Sequence, residues 1–546
     1  MISGKILRDA IISGANNISN NRLMVDELNV FPVPDGDTGT NMSMTIKGAA
    51  AELSRLSDDV LVSSVADIAA NEMLRSARGN SGVILSLLFR GLSKGLAGKK
   101  TANALDYALA LNLGVDAAYA SVMKPTEGTI LTVAQLAAKA AGEYAEKNAD
   151  DFEGMFKIFE KSAKEALDDT PNLLPVLKQA GVVDAGGMGY LVIIKGMRQA
   201  IEGKNSVEKV NDELDAAFRS TIKEFDIDIK FTYCTEYIIM KAAEVKDSKL
   251  LRAYLETIGD SVVVVDGGSI IKVHVHTEHP GSALEEGLKF GALTGLKIEN
   301  MKEQNKNRQI KTGDRKRPFF TAQKPLEKYG FVAVTGGVGL EALFKDLGVN
   351  YVVQGGQTNN PPADDILEAI LATPAQNVFV LPNKKNIIMA AEQAAKMVKD
   401  RQVMVLQTMT VPQGISAMMN FDSGMEAGEN SIAMTSAFGH VGTGLVTYAA
   451  RDSVFDGRNI KKGDILGMEN GRLAAVEKDV FRALNRVLKR LVKSHTKFIT
   501  LIYGSDVSDE AAGKVYEHAR EKLPGHIEVS LINGGQSIYY YIVSAE

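Results

Sequence analysis

At 546 residues the chain is too long for a single hydrophobic core, and three domains is the expectation from length alone. A hydrophobic share of 45% and a charged share of 24% describe an ordinary soluble globular protein, and a formal net charge of -5 gives no general electrostatic reason for a nucleic-acid or anionic-membrane partner. A lone cysteine, Cys234, excludes an intrachain disulfide framework and suits a reducing cytosol, so a cytoplasmic location is expected. Lys5, Arg8 and Asp9 among the first apolar residues are unlike a signal peptide, and no apolar run is long enough for an integral membrane segment.

The first third reads as helix after helix. Ile6, Leu7, Ala10, Ile11 and Ala15 recur at helical spacing, and Ala69 to Leu74, Val83 to Leu96, Ala102 to Met123 and Leu131 to Tyr144 continue the pattern. Breaks near Asp35, Gly79, Glu127 and Gly181 interrupt it. In an all-helical domain, such loops at one end of a bundle can converge on one site.

The first break, Asn29 to Met42, reads Asn-Val-Phe-Pro-Val-Pro-Asp-Gly-Asp-Thr-Gly-Thr-Asn-Met. Pro32 and Pro34 stiffen the approach, Gly36 and Gly39 remove bulk where a ligand must come close, and Thr38 or Thr40 can cap the helix that follows. Asp35 and Asp37 beside that helix start fit a magnesium-phosphate site, because carboxylates hold a hard cation and helix-start amides face phosphate. A turn that merely caps a helix accounts for Asp-Gly-Asp equally well. A calcium EF-hand does not fit, since counting from Asp35 places Gly39 and Ile46 where oxygen ligands belong. Arg78-Gly79-Asn80-Ser81-Gly82 precedes an apolar helix that Asn80 or Ser81 can cap, Thr129 caps another, and Asp184 lies in a Gly-rich turn before Tyr190 to Ile201. Taken singly, these read as capped helices. Walker A and protein-kinase motifs are absent, so if ATP binds it must do so through metal-bridged phosphates at these helix starts.

Together and in this order, Asn29 to Met42, Ala77 to Gly82, Glu127 to Thr129 and Asp184 to Gly187 resemble the bacterial fatty acid kinase ATP-binding subunit. The resemblance extends through a Cys and His-x-His set in the middle to the C-terminal third. It implies an N-terminal all-helical bundle or barrel of the dihydroxyacetone kinase L type, with ATP and Mg2+ as cofactors. Asp35 and Asp37 are then the catalytic magnesium ligands, and Thr38, Thr40, Asn41, Arg78, Gly79, Asn80, Ser81, Gly82, Thr129, Asp184 and Gly186 lie at the nucleotide. In the related dihydroxyacetone kinases a third aspartate lies five residues before the equivalent of Asp35. This chain has Val30 there, so Asn29 is the nearest oxygen donor, and Asn29 or Asn41 would complete or orient the magnesium shell.

Residues 203–218 are polar and charged and read as an inter-domain link, after which composition shifts to strands. Phe231 to Met240 alternates, and Ser261 to Val265, Asp266-Gly267-Gly268 and Ile270 to His276 read as a hairpin. Alternation puts Ile271, Val273 and Val275 on one face and Lys272, His274 and His276 on the other. If the Cys234 strand lies alongside, Cys234, His274 and His276 make a zinc set; two surface histidines and a buried cysteine is the other reading. The resemblance implies the first, a middle α+β domain holding Zn2+. Residues 301–328 read as a flexible basic linker. From Phe331 onward strands alternate with helices, which predicts an α/β domain with a largely parallel sheet. Its strand-end loops, Thr335 to Gly339, Gln354 to Asn359 and Ile532 to Gln536, would form the crevice of such a sheet.

The expected architecture is thus multidomain α and α/β. Residues 1–202 are the helical ATP- and Mg-binding kinase domain, 203–300 the middle zinc domain, 301–328 the linker, and 329–546 an α/β domain that docks the acyl-binding partner. The resemblance implies ATP-dependent phosphorylation of a fatty acid carboxylate, presented by a separate fatty-acid-binding protein, to give acyl phosphate for phospholipid synthesis, and a homodimer. A carboxylate acceptor is ionised at neutral pH and needs no strong general base, which suits a first third without histidine. Two rivals stand beside it. One is a dihydroxyacetone-type hydroxyketone kinase, for which His440 is the only candidate substrate-binding histidine in an α/β context. The other is a non-catalytic nucleotide- and zinc-binding regulator.

Overall fold

The structure, a computed structural model, describes residues 1–29, 36–122, 125–203, 207, 232–241, 248–266, 270–300, 322–356, 360–455 and 458–546. They fall into two compact units, Met1–Glu208 with Phe320–Glu546, and Lys209–Phe319.

Among the described residues, everything before position 204 is helical apart from short loops. The helices are α1 (Gly4–Asp26), α2 (Thr38–Leu53), α3 (Val62–Ser76), α4 (Gly79–Gly95), α5 (Ala104–Ser121), α6 (Ile130–Ala145), α7 (Phe152–Leu173), α8 (Pro175–Ala180) and α9 (Ala185–Ile201). Local chemistry sets their starts. The Ser3 hydroxyl accepts from the Ile6 amide, Asn103 and Asp106 form a capping box, and Asp151 accepts from the Gly154 amide. The apolar stripes meet in a core that includes Tyr107, Phe152, Phe156 and Phe159, with Tyr107 and Phe152 edge to face at 5.2 Å. Glycine permits close helix approach: a Cβ on Gly91 of α4 would sit 2.2 Å from the Gly114 Cα of α5.

Among its described residues, the unit 209–319 is an antiparallel sheet with two helices. Its strands are β1 (Tyr233–Lys241), β2 (Gly259–Asp266), β3 (Ile270–Thr277) and β4 (Gly291–Asn300), in the order β2-β3-β1-β4. Ile271, Val273 and Val275 point into its core with Tyr237, Ile239, Leu251 and Leu255, as the alternation predicts.

The C-terminal part of the larger unit begins with a parallel sheet of β5 (Glu327–Thr335), β6 (Tyr351–Gln354), β7 (Ala375–Leu381) and β8 (Gln402–Val405), ordered β6-β5-β7-β8. The pleat sends Phe331, Ala333, Phe379 and Leu381 into one core and Val332, Val334, Val378 and Val380 into another. The second of these is continuous with the core of the N-terminal helices. Ile366 and Ile370 of the helix Ala363–Ala372, and Ile387, Ala390 and Ala394 of the helix Lys385–Met397, belong to it. The Ala363 amide donates to the Ala77 carbonyl at 3.2 Å. The first two hundred residues and the parallel sheet therefore share one apolar interior.

The remaining strands are β9 (Gly442–Tyr448), the short pair β10 (Ser453–Phe455) and β11 (Arg458–Ile460), β12 (Ile465–Glu469), β13 (Arg472–Glu477), β14 (Phe498–Tyr503), β15 (Glu528–Asn533) and β16 (Tyr541–Ala545). Six of them form a sheet ordered β13-β12-β9-β16-β14-β15, in which only β14 and β15 run parallel. The expectation of a largely parallel sheet thus applies to residues 327–405 and not beyond. Turn chemistry accounts for one of these antiparallel pairs: Asn470 and Gly471, at φ 47° and 79°, close a tight hairpin between β12 and β13. No helix among the described residues is long and apolar enough to cross a membrane.

Candidate functional site

Asp37 occupies the N-cap position of α2 but makes no capping hydrogen bond. Its carboxylate is held from two sides instead. Asn41 Nδ2, one turn along α2, donates to Oδ1 at 2.8 Å, and Asn360 Nδ2, from the loop before the helix Ala363–Ala372, donates to Oδ2 at 2.8 Å. Asn41 and Asn360 are both buried. Neither Thr38 nor Thr40 caps α2. The Thr40 amide and hydroxyl both donate to Asp26 at the end of α1, at 3.1 and 2.7 Å, and the Thr38 hydroxyl donates to Asn29 Oδ1 at 3.0 Å. Asn29 Nδ2 is in turn bound to the Asp26 carbonyl. The α1–α2 joint is therefore tied by side chains on both helices, while Asp35 and Val30 lie outside the described residues.

The second break meets the first. Helix α4 starts at Gly79, with Arg78 rather than Asn80 or Ser81 in the N-cap position. Gly79 has φ +57°, and a Cβ there would lie 2.7 Å from Asn41 Nδ2 and 3.2 Å from Asn360 Nδ2. Arg78 Nη1 donates to the Asn360 carbonyl at 2.9 Å, and the Arg78 amide donates to Thr45 of α2. Gly82 continues the helix, its amide bonded to the Arg78 carbonyl. Asn80 Oδ1 is buried without a hydrogen-bond partner among the described residues, and so is Asn360 Oδ1.

The other two breaks also meet. Asp184 caps α9 through the Gly187 amide at 2.7 Å and accepts further from the amides of Gly186 and of Ile130, the first residue of α6. One carboxylate thus serves two helix starts. Thr129 holds the N-cap position of α6, with its hydroxyl turned to the Thr126 carbonyl. Helix α9 packs on α2 within two turns of both starts, where a Cβ on Gly189 would be 2.6 Å from Met42 Sδ. The N-termini of α2, α4, α6 and α9 accordingly gather at one end of the helices, the arrangement that concentrates positive dipole ends.

Burial pushes the Asp184 carboxyl up to about 6, against the lowering effect of its three amide donors. The folded protein then keeps a proton at pH 4–6 that the unfolded chain releases, so this group's contribution to stability falls as pH rises through that window. The difference in unfolding free energy between the native protein and Asp184→Asn should shrink or reverse from pH 4 to pH 6, by about 2 kcal/mol. A flat difference across that window refutes the assignment.

In the middle unit, Cα register sets Cys234 opposite His276 and Glu236 opposite His274, and the two imidazole rings lie 4.8 Å apart. The Cys234 side chain lies outside the described ones. Among the described residues, no three His, Cys, Asp or Glu side chains are grouped closely enough to hold a metal ion. At the Asp37 corner the donors are of the right kind for a hard cation: a carboxylate steadied by two amides, and an amide oxygen with no hydrogen bond of its own among the described residues. Two contributors were not evident from the sequence. Asp26 sits in an ordinary helix end, and Asn360 is signalled only by an Asn-Pro-Pro turn far along the chain.

Comparison with known proteins divides the chain into three. A DAK2 domain matches residues 32–199, the middle domain of FakA-like fatty acid kinase proteins matches 230–308, and their C-terminal domain matches 330–546. Protein YloV of Bacillus subtilis is 42% identical over 558 residues, covering 100% of this chain and 99% of its own length. An uncharacterized Staphylococcus aureus protein (strain USA300) is 38% identical over 559 residues with the same coverage. Among solved structures, a DegV family protein from Corynebacterium glutamicum aligns with TM-score 0.32 and 14% identity, over 40% of this chain and 97% of that one. A fatty-acid-binding DegV family protein from Thermus thermophilus aligns with TM-score 0.31 and 15% identity, over 40% and 99%. On the full-length match and the three domain models, the chain belongs to the FakA-like fatty acid kinase family.

Proposed function

We propose that this protein is the ATP-using component of a fatty acid kinase. It would transfer the γ-phosphoryl group of ATP to the carboxylate of a fatty acid that a separate fatty-acid-binding protein presents, giving acyl phosphate for phospholipid synthesis. The reading rests chiefly on the gathering of four helix N-termini at the end of the helices that carries Asp37, in a chain of this family. Asp37, with Asp35 from the sequence, would hold Mg2+, which when bound neutralises charge on the phosphates. Asn41 fixes the rotamer of Asp37, and helix-start amides near Gly79 would contact phosphate oxygens. The acceptor arrives ionised, so the chain has only to position it and exclude water.

The same reading assigns residues 1–202 to ATP and residues 329–546 to docking of the acyl carrier. Residues 203–300 would hold Zn2+ through Cys234, His274 and His276, donors that suit that ion. The working form would be a cytoplasmic homodimer.

The test is direct. Incubate the protein with ATP, Mg2+ and a fatty acid, with and without the cognate fatty-acid-binding protein, and trap acyl phosphate with hydroxylamine. Hydroxamate formed only with the carrier is the expected result. Turnover of dihydroxyacetone instead, or tight ATP binding without transfer to any acceptor, would overturn the reading. Zinc content near one ion per chain, lost in Cys234→Ala, is expected of the same preparation; equal content in both removes the zinc assignment.

A further inference from the structure

We infer that Asn360, carried by the C-terminal part of the chain, supplies an oxygen to the divalent-cation site at Asp37, so that the phosphoryl-transfer corner is complete only when both parts of the chain contribute to it. The inference rests on the kinase reading above and adds a residue to it.

The orientation of the amide follows from its partner. An ionised carboxylate only accepts, so both Asn41 and Asn360 must turn their NH2 groups toward Asp37, which the 2.8 Å contacts reflect. Asn360 Oδ1 is thereby the one polar atom of that amide that Asp37 does not engage. Asn360 is 1% exposed, and that oxygen has no hydrogen-bond partner among the described residues. An unsatisfied buried acceptor costs roughly 1–3 kcal/mol, so its persistence needs a reason. A hard cation next to Asp37 provides one, since neutral amide oxygens are ordinary ligands of such ions.

The site is also built to keep Asn360 in place. Arg78 Nη1 holds its backbone carbonyl at 2.9 Å, and the bare Gly79 leaves the space that the Asn360 amide fills. The alternative amide, Asn29, is already committed, with Oδ1 bound by the Thr38 hydroxyl and Nδ2 by the Asp26 carbonyl.

The experiment uses the full chain and Mn2+ with a non-hydrolysable ATP analogue, and reads bound Mn2+ by electron paramagnetic resonance, without turnover. Asn360→Ala is expected to weaken Mn2+ binding by about ten- to a hundredfold. Asn360→Asp keeps an oxygen but sets a second carboxylate against Asp37. It should therefore melt below the native protein without metal and regain the native midpoint with Mn2+ and analogue. Unchanged Mn2+ affinity in Asn360→Ala would mean that the oxygen meets only an ordered water, and overturns the inference. If Asn360→Ala fails to fold, failure of Asn360→Asp to regain its midpoint overturns it. Native protein that binds no Mn2+ with nucleotide sinks both this inference and the kinase reading. Native protein that binds it but makes no acyl phosphate sinks the kinase reading alone.

Discussion

Asp37→Asn should reduce acyl phosphate formation by about a thousandfold, corresponding to several kcal/mol of transition-state stabilisation. The substitution is nearly isosteric, so the loss measures chemistry more than shape. It removes the charge that would hold the cation, and it also reverses a donor–acceptor pattern. Asp37 accepts at both oxygens, from Asn41 and from Asn360, and an amide at this position must present an NH2 to one of them. A donor facing a donor in a buried place costs about 1–3 kcal/mol, so the variant should also melt a few degrees lower. Single-turnover hydroxamate trapping and calorimetry separate the two effects. Activity within tenfold of native would show that Asp37 does not carry the metal.

Gly79→Ala is expected to cost about a hundredfold in turnover. Two effects combine at this position. A residue with a side chain at φ +57° pays about 1–2 kcal/mol in backbone strain. The added methyl also lies 2.7 Å from Asn41 Nδ2 and 3.2 Å from Asn360 Nδ2, the two groups that aim Asp37. Moving either by about an ångström misplaces the carboxylate, and a displacement of that size can cost about two orders of magnitude. Gly181→Ala is the control, because Gly181 has φ +67° but nothing within 4 Å of the added carbon. It should lose stability and keep its turnover. Equal loss of activity in both variants would show that the effect at Gly79 is strain alone.

How far the chain announces its own structure depends on sequence distance. The N-terminal helices are legible because a 3.6-residue period repeats within each of them, and the interior alternation of β3 is legible for the analogous reason. The four glycine-rich breaks mark the helix starts, and it is the structure that brings those starts to one end. Local pattern does not reveal who occupies the amides at those starts. The resemblance places Asp184 at the nucleotide, and only the structure shows that its carboxylate accepts from three backbone amides. Thr40 reads as a cap, yet its hydroxyl serves Asp26 on the preceding helix. Asn360 lies 323 residues from the aspartate it touches, and no periodicity spans that gap. The antiparallel half of the C-terminal region is a different case. Asn470-Gly471 is a strong hairpin signal in the sequence, and the strand–helix alternation that starts at Phe331 conceals it.

The continuous interior that joins α3 and α4 to the helices Ala363–Ala372 and Lys385–Met397 restricts how this protein can be recombined with its relatives. Close-packed interiors tolerate a change only when the facing volume changes with it. A chimera spliced at the end of α9, taking its sheet from a cousin of 38–42% identity, would bring together two surfaces that drifted separately. Such a hybrid should assemble poorly unless residues of the two pairs of helices are exchanged as a set. The two stretches should therefore change together, although a separate unit, Lys209–Phe319, runs between them in the chain.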